Sequence, residues 1–167
     1  VFNGFQFGAA PEEPTIGEVV FTTGMTGYQE MLTDPSFRGQ MVILTYPLAG
    51  NYGINLEDVE SRELQLQALI VHDLCEQPSN WRSQRSLDRY LRQAGVPGMY
   101  GVDTRAVTRH IRQAGAMMGA LSSSRTPDEL LASLSHNTNY TAIDFVQVVS
   151  CKAVSYTHLT LPTILRV

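Results

Sequence analysis

The chain has 167 residues, the size of one ordinary domain, and 43% of them are apolar, enough to bury a core and to exclude the disordered class. A formal charge of -4 offers no general attraction to nucleic acid or to an anionic membrane surface, and no apolar run is long enough to cross a bilayer. Cys75 and Cys151 are too few and too far apart for a disulfide framework or a zinc site, which fits a reducing, cytoplasmic setting. The chain starts at Val1 with no charged-then-apolar leader, as expected of a fragment or a processed product.

In chain order, Val1 to Gly8 alternates Phe5 and Phe7 with Gly4 and Gln6 and reads as a strand. Gly17 to Thr23 is rich in β-branched residues and reads as a second. Thr26, with Gln29 three residues on, predicts a capping box opening a short helix. That helix must end before Asp34-Pro35-Ser36, where proline fixes φ for a turn. Met41 to Thr45 is continuously apolar, as a strand buried on both faces would be. Pro47, Gly50 and Gly53 predict a long turn, and Leu64 to Val71 a further strand.

Ser86 is placed to cap a helix from Leu87 to about Gln93, with Gly95 as its stop and Leu87, Tyr90 and Leu91 on one face. Asp103 or Thr104 caps the next helix, which ends near Gly115. Val107 and Ile111 share one of its faces, and Arg105, Arg109 and Arg112 line another. Met117 to Leu121 reads as a strand. Thr126-Pro127-Asp128-Glu129 combines an N-cap, an N1 proline and a capping-box glutamate, opening a helix to about Leu134. The pattern as a whole is that of an α/β or α+β domain without internal repeats.

No phosphate loop or dinucleotide fingerprint is present. Cys75 lies in His72-Asp73-Leu74-Cys75-Glu76, where flanking acids would raise a thiol pKa, and no nucleophile elbow surrounds it. It reads as an ordinary thiol, and Cys151 likewise. His72, His110, His136 and His158 form no ligand-spaced cluster. The arginine face could simply be solvated, or it could hold a partner's carboxylates in bidentate pairs. Two stretches are dense in Gly, Thr, Tyr and Pro: TTGMTGYQEMLTDPSFRGQ from Thr22 and TYPLAGNYGIN from Thr45. Glycine there either permits an unusual backbone or marks a functional loop.

Those stretches resemble the small subunit of glutamine-hydrolysing carbamoyl-phosphate synthase. GEVVFTTGMTGYQEMLTDPSF, TYPLAGNYG, EDVES, NWRS at Asn80, GVDTRAVTRHIR at Gly101 and GAMMG at Gly115 follow the family pattern in order, with Thr22 where asparagine is usual. The likeness covers roughly Phe2 to Ala153. It implies a domain over residues 1–153 with a three-layer β/β/α, swivelling-type α/β fold of mixed sheets and a few short helices. It implies partners: the synthase large subunit, a following glutaminase domain that this sequence lacks, and L-glutamine.

The parent enzyme hydrolyses glutamine at a Cys-His-Glu site and passes ammonia through a tunnel to the large subunit. There ATP and Mg support carbamoyl phosphate synthesis from bicarbonate, for arginine and pyrimidine production. The resemblance carries one site residue to this chain: Ser36, in the LTDPS turn, as a glutamine contact. It supplies no catalytic residue, metal ligand or cofactor site, so the isolated fragment is expected to be an inactive docking scaffold.

Two other readings stay open from the residues alone. One is a stand-alone binding module, the other a small α/β enzyme using Asp34, Asp103 and the threonines near Thr22. Residues 154–167 do not resemble the family linker and read as unrelated, partnerless sequence.

Overall fold

The structure is a computed structural model and describes residues 1–136 and 142–150. The backbone forms a six-stranded mixed sheet in the order β1-β7-β5-β3-β2-β8, with a separate two-stranded ribbon of β4 and β6. The strands are β1 (Phe5–Gly8), β2 (Thr15–Thr22), β3 (Gln40–Leu44), β4 (Leu48–Ala49), β5 (Ala68–Ile70), β6 (Asp73–Leu74), β7 (Pro97–Tyr100) and β8 (Met117–Leu121). The helices are α1 (Tyr28–Thr33), α2 (Leu87–Gln93), α3 (Thr104–Ala114), α4 (Pro127–His136) and α5 (Phe145–Val149), with a 3-10 turn at Pro35–Phe37. The mixed α/β class expected from the sequence is the one that forms.

Strands β2, β3, β5 and β7 run parallel to one another, while β1 and β8 pair antiparallel at the two edges. Parallel neighbours need crossovers. α1 and the 3-10 turn cross between β2 and β3, and α2 crosses between β5 and β7. α1 and α2 cover one face of the central strands and α3 the other, which explains the unbroken apolar run of β3.

On one face Val42, Leu44, Leu69 and Val71 pack with Leu32 of α1 and Leu87 and Leu91 of α2. On the other, Ile43 and Ile70 pack with Val107 and Ile111 of α3. Leu32, Leu69, Leu87 and Leu91 are fully enclosed, each contributing about 1.5–3 kcal/mol of burial free energy.

Local signals set most helix ends. Ser86 accepts a hydrogen bond from the Arg89 amide, and Asp103 accepts one from the Ala106 amide at 2.9 Å. The capping box at Thr126 closes both ways, with Glu129 Oε2 accepting from the Thr126 amide at 2.7 Å and Thr126 Oγ1 accepting from the Glu129 amide at 3.4 Å.

β5, β7 and α5 differ from expectation. The strand foreseen from Leu64 shrinks to Ala68–Ile70, because the Gln65 amide donates to Leu32 of α1 instead of to a neighbouring strand. Leu64 and Leu66 still enter the core. β7 gives little sign in sequence, since Pro97 and Gly98 are poor strand formers. Gly98 is required there, because a Cβ would run into the Phe7 ring on the paired strand. α5 is built from FVQVV, whose β-branched residues favour strands, and it is opened by Asp144 accepting from the Gln147 amide. Among the described residues, no helix is long and apolar enough to cross a membrane.

Candidate functional site

The motifs that carry the family likeness assemble into one hydrogen-bonded unit around α1. The helix starts one residue later than a Thr26 cap would place it. Its N-cap is Gly27, in the left-handed region at φ 79°, with no side-chain cap of its own. The capping box expected from Thr26 and Gln29 does not form. The Tyr52 hydroxyl, from the GNYGIN stretch, takes its place by accepting from the amides of Gly27 at 2.8 Å and Tyr28 at 2.9 Å. Tyr28 returns the contact: its hydroxyl donates to the Gly53 carbonyl at 2.7 Å, and the two rings stack with centroids 4.1 Å apart. Burial pushes both phenols above their ordinary range, so each stays protonated and can hold its hydrogen bonds.

Gln29, freed from capping, turns into the core. Its Nε2 donates to the Asn55 carbonyl at 2.7 Å and its Oε1 accepts from the Asn55 amide at 2.9 Å, so its amide mimics a paired strand residue. Thr33 extends the seam, its Oγ1 accepting from the Glu60 amide at 2.9 Å. The Ser61 hydroxyl donates to the Thr33 carbonyl at 2.6 Å.

The Asn55 side chain then organises the EDVES segment. Its Oδ1 accepts from the amides of Glu57 and Asp58, and its Nδ2 donates to Asp58 Oδ2 at 2.7 Å. Arg82, from NWRS, reaches across to Asp58 at 3.0 Å and Glu57 at 2.8 Å. The Asn55 amide and the Arg82 guanidinium hold the Asp58 carboxyl below its usual range.

This scaffold presents an open groove of about 430 Å³ between the end of β2, α1 and the 3-10 turn. Thr22, Thr26, Glu30, Asp34 and Glu60 give it a polar, acidic wall, and Met31 and Phe37 an apolar one. Glu30 Oε2 is buried there without a hydrogen-bond partner. Ser36 stands exposed between the groove residues Pro35 and Phe37. Its amide donates to Asp34 Oδ1 at 2.8 Å, which fixes the turn and leaves the exposed residue at the groove's rim. A groove so lined can hold a small polar molecule but contains no activated nucleophile.

The other singled-out residues fall elsewhere. Cys75 is half-buried and donates its thiol to the Gln77 carbonyl at 3.3 Å. His72 meets Asp73 instead, Nδ1 to Oδ2 at 3.1 Å. Cys151 and His158 lie outside the described residues. Asp103 spends its carboxylate on the α3 cap and Asp34 on the turn. α3 and α1 lie on opposite faces of the sheet, so Asp34 and Asp103 are not brought together. Among the described residues no group of three or more His, Cys, Asp or Glu is placed to hold a metal. A second cleft, of about 330 Å³, is lined by the ends of the edge strands, including Phe5 and Leu121, and by no titratable side chain.

Residues 1–121 match the family model for the carbamoyl-phosphate synthase small chain, CPSase domain. The chain belongs to the carbamoyl-phosphate synthase small-chain family. A carbamoyl phosphate synthase small chain from Nostoc sp. is 49% identical over 154 residues, covering 92% of this chain and 39% of that protein. The pyrimidine-specific small chain of Bacillus subtilis is 51% identical over 153 residues, covering 92% of this chain and 41% of that one. The small chain of Lawsonia intracellularis reaches 59% over 116 residues, covering 69% of this chain and 31% of its own length. The chain thus spans about two-fifths of the length of the first two of these small chains.

Proposed function

We propose that this chain is the N-terminal domain of the glutamine-hydrolysing small subunit of carbamoyl-phosphate synthase, and that it serves there as a docking scaffold. The observation that carries the reading is the family match over residues 1–121, joined to the coverage of only about two-fifths of the relatives' length. Glutamine hydrolysis needs an activated nucleophile. The cysteine in the described part of this chain, Cys75, donates its thiol to the Gln77 carbonyl rather than to a base. The catalytic centre therefore belongs to the remaining length of the small chain, and residues 1–153 alone are inactive. Residues 154–167 lie outside the domain.

In the assembled enzyme the partners are the large subunit, the glutaminase domain and L-glutamine. The small subunit supplies ammonia, and the large subunit joins it to bicarbonate with ATP and Mg, in the cytoplasm, for arginine and pyrimidine synthesis. The groove beside α1 faces the glutaminase domain, and Ser36 at its rim touches the bound glutamine. In a full-length small chain carrying this domain, Ser36→Ala is expected to raise the KM for glutamine by roughly tenfold, the value of one lost hydrogen bond to a charged or polar substrate, with kcat little changed. An unchanged KM would remove Ser36 from the glutamine site.

A further inference from the structure

Strand β1 ends the six-stranded sheet, and among the described residues no strand pairs with its outer side. The Ala9 amide donates to the Val96 carbonyl at 2.9 Å, so Ala9 faces the β7 side. Alternation along this antiparallel pair turns the amides of Phe7 and Phe5 toward β7 and those of Gly8, Gln6 and Gly4 outward. Gly8 is already satisfied there: its amide donates to Asp88 Oδ1 of α2 at 2.8 Å, and its carbonyl accepts from Arg92 Nε at 3.3 Å. Among the described residues no such cap reaches the outward backbone of Gln6 or Gly4. Residues 1–6 are all exposed.

Open sheet edges are ordinarily blunted by a lysine, a proline or a bulge. From Val1 to Ala10 the chain has no charged side chain and no proline. Other strand edges differ: α4 packs along β8, and the ribbon carries Asp73 in β6 and Pro47 just before β4. Phe5 adds an apolar knob to the open edge. Its ring lies 5.4 Å from that of Tyr100, which holds it in place, yet Phe5 remains 66% exposed.

We infer that two copies of this chain join their sheets through β1, antiparallel about a two-fold axis at Phe5. The open backbone groups dictate the register. Gly4 lies opposite the partner's Gln6, and Gln6 opposite the partner's Gly4, and each such pair exchanges both N–H···O bonds. Phe5 then meets the partner's Phe5 in the intervening non-hydrogen-bonded pair, where side chains come closest. The two rings cover each other's exposed sides. The next pairing, Phe2 with the partner's Gly8, is blocked by the Asp88 and Arg92 caps, so the ladder stops there at both ends. A second copy suits this edge because an uncharged segment meets itself without the repulsion of like charges placed opposite. The groove beside α1 takes no part, since none of its lining residues belongs to β1.

The test uses the whole chain with Cys75 and Cys151 replaced by serine, its mass followed by light scattering over a wide concentration range. The mass is expected to rise from one chain toward two as concentration increases. Phe5→Lys sets two ammonium groups against each other and holds the mass at one chain. Its circular dichroism is unchanged, because Phe5 is exposed. In the same background Phe5→Cys is treated with diamide: two thiols join in one disulfide, and the two electrons and two protons reduce the diamide to its hydrazine. Linked dimer is expected to form at least about tenfold faster from Phe5→Cys than from Gln6→Cys, whose Cβ atoms lie about 7–8 Å apart on the diagonal, too far for a disulfide.

A chain that stays monomeric at every concentration would overturn the inference, whether the edge stays open or is filled from within the chain. So would a dimer that survives Phe5→Lys, or one that links as readily through Gln6→Cys as through Phe5→Cys.

Discussion

Gln29→Leu is expected to destabilise the chain by roughly 3–5 kcal/mol, although the two side chains are of similar size. Gln29 is fully buried, and its amide is matched at both ends by the backbone of Asn55. Leucine would leave that N–H and C=O without partners in a site only 8% exposed at Asn55. Each orphaned group costs about 1–3 kcal/mol, a large share of the total stability of an ordinary domain. The loss would spread along the seam, because Asn55 also orders Glu57 and Asp58, and Arg82 clamps both. Urea unfolding at neutral pH measures it. A midpoint within error of the unsubstituted chain would show that the Gln29–Asn55 pair is dispensable.

Gly53→Ala is the second large effect, expected at roughly 3 kcal/mol or more. Gly53 lies at φ 68°, a region that L-residues enter only with strain. A Cβ there would also overlap the Ser83 side chain and stand 3.0 Å from the Arg85 carbonyl. Both neighbours are hydrogen-bonded: the Ile54 amide donates to that same Arg85 carbonyl at 3.0 Å, and the Ser83 amide donates to the Asn80 carbonyl at 3.0 Å. Relief by a shift of the turn would pull the Gly53 carbonyl from the Tyr28 hydroxyl and move Tyr52 off the start of α1. The expected signature is a lower thermal midpoint that Ser83→Gly partly restores. No recovery in the double variant would place the cost in the backbone conformation alone.

These two positions show what could be read from the sequence and what could not. α2, α3 and α4 were legible because their caps are local: Ser86, Asp103 and Thr126 bond amides three residues away. α1 was legible as a helix but not in its start. Thr26-x-x-Gln29 has the form of a capping box, yet the cap comes from Tyr52, 25 residues further on from Gly27. Gln29 is claimed by a backbone 26 residues away. No local pattern reports such a partner.

The strand β3 announced itself by its apolar run, whereas β7 depends on tertiary pairing that overrides the weak propensity of Pro97 and Gly98. At the site, the turn at Asp34-Pro35-Ser36 was readable from its residue types, and Ser36 was singled out only through the family likeness. The groove beside it was not readable, since its wall is drawn from β2, α1, the 3-10 turn and the Glu60 loop together.

The family likeness and the structure also explain each other. TGYQE, GNYGIN, EDVES and NWRS are separate in the chain but form one clamp through Tyr52, Gln29, Asn55 and Arg82. That clamp fixes α1 and the turn after it, and with them the position of Ser36. The Tyr, Gln and Asn of these motifs are thus structural.

The most direct test of the docking role is a calorimetric titration of this chain into a carbamoyl-phosphate synthase large subunit. The account predicts saturable binding near one chain per large subunit, with no glutamine hydrolysed by the mixture. Absence of binding by a chain that circular dichroism shows to be folded would contradict it.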